Sequence, residues 1–316
     1  MTQREQKRQQ QRGARPIPDQ TGRTAVVTGA NSGLGLATGR ALARRGAHVI
    51  LAVRDEDKGR RAAEEIADGL PGAGLEVRRL DLADLDSVRA FAEGLRADRP
   101  HLDLLVNNAG VMAPPRTLSP QGHELQFAAN HLGHFALTGL LLDLLAEGVD
   151  SRVVTVSSAN HRQGQLLHDD LTGERAYSPM KFYNQSKFAN AVFGLELHRR
   201  LTAAGSPVRS VLAHPGYAST NLQTSGPSGL VKLVFGRLLT PLAQTSEQGA
   251  ASQLYAATAE DVTGGEFIGP GGPAELRGLP TRVRPSPAAA DPATGRRLWE
   301  LSERLTSVRF PLPAAA

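Results

Sequence analysis

Short β-branched runs alternate with amphipathic helical stretches from Gly22 onward, and this alternation restricts the fold more than any other feature of the chain. "RTAVVTG" reads as a buried strand, "GLGLATGRALARRG" as a helix ending at Gly46, "AHVILAVR" as a second strand and "DKGRRAAEEIADGL" as a second helix. Further strands are expected in "LEVRRLDL", "LDLLVNNAG", "SRVVTVSS" and "SPVRSVLAHPG", with "GGEFIG" as the last, and helical stretches fall near 84–98, 121–146, 183–204 and 246–258. Helices of crossover length place successive strands parallel, with helices on both faces. The expectation is one α/β domain on a doubly wound, mostly parallel seven-stranded sheet.

The 316 residues suffice for one large core, and the expected domain spans 21–310. Inside it, "GPGGPAELRGLPTRVRPSPAAADPATG" reads as an irregular surface excursion over 269–292, followed by a C-terminal helix over 293–307. Residues 1–20 set Arg4, Lys7, Arg8, Arg12 and Arg15 against Glu5 and Asp19, which accounts for +3 of the formal +5. A tail so poor in apolar groups reads as solvated and disordered, not as a nucleic-acid or membrane surface. There is no Cys, which excludes a disulfide framework, thiolate metal sites and a catalytic thiol. No apolar stretch approaches the roughly 20 residues of a spanning helix, and the N-terminal stretch lacks the apolar middle of a signal peptide. A cytoplasmic location is the default expectation.

Ligands of doubly wound sheets bind beyond the carboxyl ends of the strands. "TGANSGLG" follows the first strand, and its Gly29, Asn31, Ser32, Gly33, Leu34 and Gly35 are candidate contacts for a pyrophosphate at the start of the next helix. The end of the second strand selects the dinucleotide. Val53 stands where a site for NAD(H) usually presents a carboxylate, and Arg54 just after it suits the 2′-phosphate of NADP(H). Lys58 adds to the same field, whereas Asp55 opposes it if it turns inward.

"YSPMKFYNQSK" holds a Tyr four residues before a Lys twice, as Tyr177 with Lys181 and Tyr183 with Lys187. Residues four apart on a helix share a face, and a neighbouring ammonium favours the ionised form of a phenol. Pro179 interrupts the first pair and suits the opening turn of a helix, while nothing breaks the helix between Tyr183 and Lys187. The second pair is therefore the candidate acid-base pair, with Tyr177 a loop residue bordering the substrate.

With "TGANSGLG", Asp81-Leu82, "NNAG" at 107–110, "FAANHLGHFALT", "VTVSS", "YNQSK" and "HPGYAST" in this order, the chain resembles the short-chain dehydrogenase/reductase family over about Thr24 to Phe267. It looks most similar to the retinol-dehydrogenase-like branch, which includes the oxidoreductase domain of WW-domain oxidoreductases. The resemblance implies a Rossmann-type fold and a preference for NADP(H) over NAD(H). It implies a catalytic set of Asn130, Ser158, Tyr183 and Lys187. Ser158 would bond the substrate oxygen, Tyr183 would pass a proton, Lys187 would lower the tyrosine pKa and orient the ribose, and Asn130 would support a water relay behind Lys187. Ser157 competes with Ser158, since neighbouring strand side chains point oppositely and only one can face the substrate. Asp81 and Leu82 would flank the adenine, and Asn107, Ala109 and Gly110 would line the cleft. Pro215, Gly216 and Thr220 would lie near the nicotinamide, with Ser219 the alternative to Thr220.

His131, His134, His161 and His168 fall on different elements without a carboxylate pattern, so no metal is expected. The leading expectation is an NADP(H)-dependent enzyme interconverting a carbonyl and an alcohol on a small, apolar substrate, alone or as a homo-oligomer. Long segments at 159–182 and 225–242 would border that substrate, although the apolar residues of the second also suit an amphipathic helix packed on the core. The alternative is a catalytically silent NADP(H)-binding sensor or scaffold of the same fold.

Overall fold

The apolar runs become strands because they bury side chains on both faces, as parallel strands between two helical layers must. In the computed structural model, which describes residues 16–217 and 244–312, these are β1 (Thr24–Thr28), β2 (His48–Val53), β3 (Leu75–Arg79), β4 (Leu104–Asn107), β5 (Arg152–Val156), β6 (Arg209–Ala213) and β7 (Phe267–Pro270). All seven are parallel. An eighth strand, β8 (Pro280–Arg282), pairs antiparallel with β7, so the sheet has eight strands in the order β3-β2-β1-β4-β5-β6-β7-β8. The expected count of seven missed β8, which lies inside the segment read as irregular.

The helices are α1 (Gly33–Ala43), α2 (Glu56–Gly69), α3 (Leu85–Asp98), α4 (Gly133–Leu140), α5 (Leu142–Ala146), α6 (Pro179–Ala203), α7 (Ser246–Thr258), α8 (Pro287–Ala290) and α9 (Pro292–Thr306). A helical turn at Leu125–Phe127 and a π-helical turn at Ala128–Leu132 lead into α4. One apolar core lies beneath α3, α4, α6 and α9, and the other beneath α1, α2 and α7. Trp299 of α9 packs edge-on to Phe135 at 5.1 Å and along Phe193 at 6.0 Å, covering the outer faces of α4 and α6. Such aromatic contacts add to the burial of large apolar area.

Residues 16–20, assigned to the tail from the sequence, lie against the domain. Gln20 is buried and its backbone N–H donates to Arg45 O at 2.7 Å, while Ile17 packs on the second core. The strand order reverses between β1 and β4, which opens a crevice at their carboxyl ends.

Candidate active site

β1 delivers Thr28 to this crevice, and the turn after it can close only through glycine. Gly33 has φ +54°, and a Cβ on Gly35 would collide with the carbonyl of Gly29. Ser32 caps α1 without a side-chain hydrogen bond, and the first turn holds no acid. Its backbone donors therefore stand beside Asn31 and Leu34 without a side-chain acceptor, as a pyrophosphate requires. Thr28 Oγ1 accepts the amides of Asn108 and Ala109, both at 2.9 Å, and Asn108 Nδ2 returns a bond to Thr28 O at 2.8 Å.

Arg54 follows β2, exposed and without a hydrogen bond or ion pair among the described residues. Asp55 accepts Lys58 N at 3.1 Å as the cap of α2 and pairs with Lys58 Nζ at 3.2 Å. Both residues are occupied with each other, which leaves the guanidinium as the unpaired charge at this strand end. Asp81 accepts the Ala83 amide at 3.0 Å, and Leu82 is buried with its backbone against Gly133. Asn107 departs from expectation. Its fully buried side chain donates to Thr138 Oγ1 at 3.0 Å, so it faces α4 while Ala109 and Gly110 continue along the crevice.

The two serines after β5 part as strand alternation requires. Ser157 Oγ turns into the core and donates to Lys187 O at 2.7 Å. Ser158 accepts Asn160 N at 3.2 Å, and its hydroxyl lies on the Tyr183 phenol's side of the site, where it favours the ionised form of that phenol. Pro179 opens α6, so Tyr183 and Lys187 stand one turn apart on it, with Lys187 Nζ 6.0 Å from the centre of the tyrosine ring. Burial pushes the Tyr183 phenol up to about 12, opposed by the nearby Ser158 hydroxyl, and lowers the Lys187 ammonium to about 8. Tyr183 is thus protonated near neutral pH, with the Lys187 ammonium one turn away on the same helix. Lys187 Nζ donates to Val156 O at 3.2 Å.

Asn130 sits in the π-helical turn, a local widening that often marks functional positions. Its Oδ1 accepts Val111 N at 2.7 Å, and its Nδ2 donates to Val111 O and Ser186 Oγ, both at 2.9 Å. It braces the loop after β4 against α6, as a buried structural amide does. Its backbone carbonyl accepts from His134 Nδ1 at 3.0 Å, and His134 Nε2 meets Thr28 Oγ1 at 2.9 Å. A carbonyl can only accept, so Nδ1 carries the proton and Thr28 donates to Nε2.

Tyr177 precedes α6 and is spent elsewhere. Its hydroxyl lies 2.9 Å from Pro114 O and 3.2 Å from the buried Glu124 carboxylate, whose pKa burial raises. Lys181 is exposed. Met112, Ala113 and Met180 pack with Tyr183 into a small apolar wall. Pro215 and Gly216 follow β6 at the rim, while Ser219, Thr220 and 225–242 touch or fall within the stretch 218–243 that lies outside the described residues. His131 bonds Ser302 at 2.8 Å, and among the described residues no group of three or more His, Cys, Asp or Glu is placed to hold a metal. Sequence reasoning missed Asn108 and His134 as ties of the cofactor turn. Asn108 was within reach, as the second residue of "NNAG", whereas nothing local marks His134.

A doubly wound sheet with a glycine turn at its switch point and Ser, Tyr and Lys gathered beside it defines a Rossmann-type oxidoreductase. The sequence model described as short chain dehydrogenase matches residues 23–229, and the chain belongs to that family. It is 39% identical over 300 residues to retinol dehydrogenase 14 of Mus musculus, covering 91% of this chain and 86% of that protein. It is 42% identical over 297 residues to polyprenol dehydrogenase of Mus musculus, covering 92% and 85%. A crystal structure of an uncharacterised protein from Mycobacterium paratuberculosis superposes with a TM-score of 0.78 at 46% identity, over 94% of this chain and 97% of that one. A short chain dehydrogenase from Shigella flexneri, solved with NADP, shares the fold at a TM-score of 0.64 and 24% identity, over 80% and 97%.

Proposed function

We propose that the chain is an NADP(H)-dependent oxidoreductase interconverting a carbonyl and an alcohol, with Tyr183 as general acid and base. The observation that carries this reading is Tyr183 and Lys187 one turn apart on α6, with Lys187 Nζ 6.0 Å from the centre of the tyrosine ring and Ser158 beside the phenol. In the reducing direction Tyr183 gives its proton to the substrate oxygen while the Ser158 hydroxyl holds that oxygen, and in the oxidising direction it takes the proton back. Lys187, largely protonated at neutral pH with a pKa of about 8, stabilises the phenolate left behind. A bound nicotinamide supplies or accepts the hydride. The backbone donors at the start of α1, uncapped by any side chain, suit the pyrophosphate, the unpaired Arg54 suits a 2′-phosphate, Asp81 and Leu82 would flank the adenine, and Ala109, Gly110, Pro215, Gly216 and Thr220 would border the cofactor further along.

The apolar wall of Met112, Ala113 and Met180 supports an apolar substrate, in keeping with relatives named as dehydrogenases of retinol and polyprenol. No helix among the described residues is long and apolar enough to cross a membrane, and a cytoplasmic location belongs to the proposal. The test is NADPH consumption with a panel of aldehydes and ketones beside NADPH binding measured alone. Turnover supports the enzyme, whereas tight binding without turnover of any carbonyl or alcohol favours a sensor.

A further inference from the structure

The turn Pro273–Glu275, in the segment read from sequence as an irregular excursion, lies against both loops that bound the candidate site. Ala274 (φ 51°) and Glu275 (φ 55°) stand in succession in the left-handed region although neither is glycine. Strain of this kind persists only where the surroundings hold it, and it gathers at functional positions. A Cβ on Gly216 (φ +70°) would stand 2.5 Å from Leu276 O, so this turn and the His-Pro-Gly loop after β6 meet through a glycine. Leu276 O accepts Tyr217 N at 2.8 Å and Gln244 Nε2 at 3.0 Å, and the same Nε2 donates to Pro215 O at 2.9 Å.

The Glu275 carboxylate joins this loop to the turn that follows Ser158. Its Oε2 accepts from His214 Nε2 at 2.9 Å and its Oε1 from Arg162 Nη2 at 2.8 Å. His214 is fully buried and its Nδ1 accepts the Gly216 amide at 3.2 Å, so that nitrogen carries no proton and the ring is neutral. Arg162 lies in the turn Ala159–Gln163 and also donates to Arg284 O at 2.9 Å. In the same turn His161 Nδ1 donates to Ser158 O at 2.7 Å while its Nε2 accepts Ser286 N at 3.1 Å. Arg162 is 36% exposed and Glu275 25%, so their ion pair contributes little stability and its consequence is orientation.

We propose that Glu275 is a positioning residue: through His214 it fixes Pro215 and Gly216, and through Arg162 it fixes the turn that begins at Ser158. This rests on the reading of the crevice as an NADP(H)-dependent active site. Glu275→Gln keeps the shape and removes the charge. Hydrogen exchange on the full-length protein reads the contact directly. Amides of 157–164 and 214–217 should exchange on the order of tenfold faster in the variant, with β1 to β4 unchanged. With NADPH and a carbonyl substrate, kcat/KM should fall by roughly 10- to 100-fold, the scale of a small misplacement, while the thermal midpoint barely moves.

Unchanged exchange in both segments overturns the proposal, and so does faster exchange with unchanged kcat/KM. If Glu275→Gln does not fold, Arg162→Met removes one arm at a partly exposed position. It should loosen 157–164 and leave 214–217 as in the wild type, and wild-type exchange at 157–164 refutes the coupling. A wild-type chain that turns over no carbonyl sinks the enzymatic reading instead, and the exchange of the two segments in Glu275→Gln then decides the contact by itself.

Discussion

Replacing Lys187 by methionine should make the ligand-free protein more stable while abolishing turnover. The lysine is 4% exposed, and burial holds its pKa at about 8 against the ordinary value of 10.5. That depression corresponds to roughly 3 kcal/mol by which folding disfavours the charged form. Below pH 8 both the folded and the unfolded chain bind the proton, and the whole penalty applies. Between pH 8 and 10.5 the unfolded chain still binds it and the folded chain does not, so wild-type stability rises with pH across that window. Methionine retains the stem's packing, and Val156 O keeps its bond from Asn190 Nδ2 at 3.2 Å, so the substitution leaves no orphaned carbonyl. Lys187→Met should therefore gain about 2–3 kcal/mol at pH 7, roughly 4–10 °C in thermal midpoint for a domain of this size. The gain should shrink as the pH climbs from 8 to 10.5. Calorimetry or dye-monitored melting of both proteins over that range reads it, with the exposed Lys181→Met as control. A variant less stable than wild type at pH 7, or a gap indifferent to pH, would refute the argument.

Tyr183→Phe should lower turnover by on the order of a hundredfold or more while NADPH binding stays near wild type, because the ring keeps its apolar wall and loses only the transferable proton. Tyr177→Phe should do the reverse, keeping turnover per folded molecule and losing about 1–3 kcal/mol of stability as the buried Glu124 and Pro114 O lose a donor; parallel melts and rates that show the opposite pattern would move the site to the first pair. Arg54→Ala should weaken NADPH binding far more than NADH binding in a fluorescence titration, and equal losses would remove Arg54 from the cofactor assignment. Stability should also fall as pH drops from 6.5 toward 4. Burial holds His131, His134 and His214 neutral with pKa values of about 3, 4 and 4, so the unfolded chain alone takes up their protons, at about 1.4 kcal/mol per pH unit each. A thermal midpoint that is flat from pH 6.5 to 5 would contradict this.

Local chemistry explains which parts of this molecule are legible in the chain alone. The parallel strands were readable because each buries both faces and so writes a continuous apolar run, as "TAVVT" of β1 does. β8 was not, because its three residues "PTR" carry no apolar pattern and owe their conformation to β7 beside them. Gln20 and Ile17 escaped for the same reason, since their neighbours Arg45 and the second core are distant in sequence. Asn107 shows a subtler limit. Its placement at a strand end was read correctly, but the Thr138 hydroxyl that draws its side chain toward α4 is 31 positions away.

The Tyr and Lys of the site were separable from their near-copy because one backbone constraint, Pro179, acts within a few residues. A proline has no amide to give and opens a helix better than it continues one, so α6 starts there and only the second pair can share a face. The same start fixes where Tyr177 must lie. Left outside the helix, it meets Phe182 at 5.0 Å between ring centres and turns its hydroxyl to Glu124 and Pro114. Those bonds hold the loop that carries Met112 and Ala113 against Tyr183. The tyrosine left outside the helix thereby shapes the wall around the one proposed to carry the chemistry. An identical Tyr-x-x-x-Lys spacing thus supports two different tasks, and the proline between them assigns each.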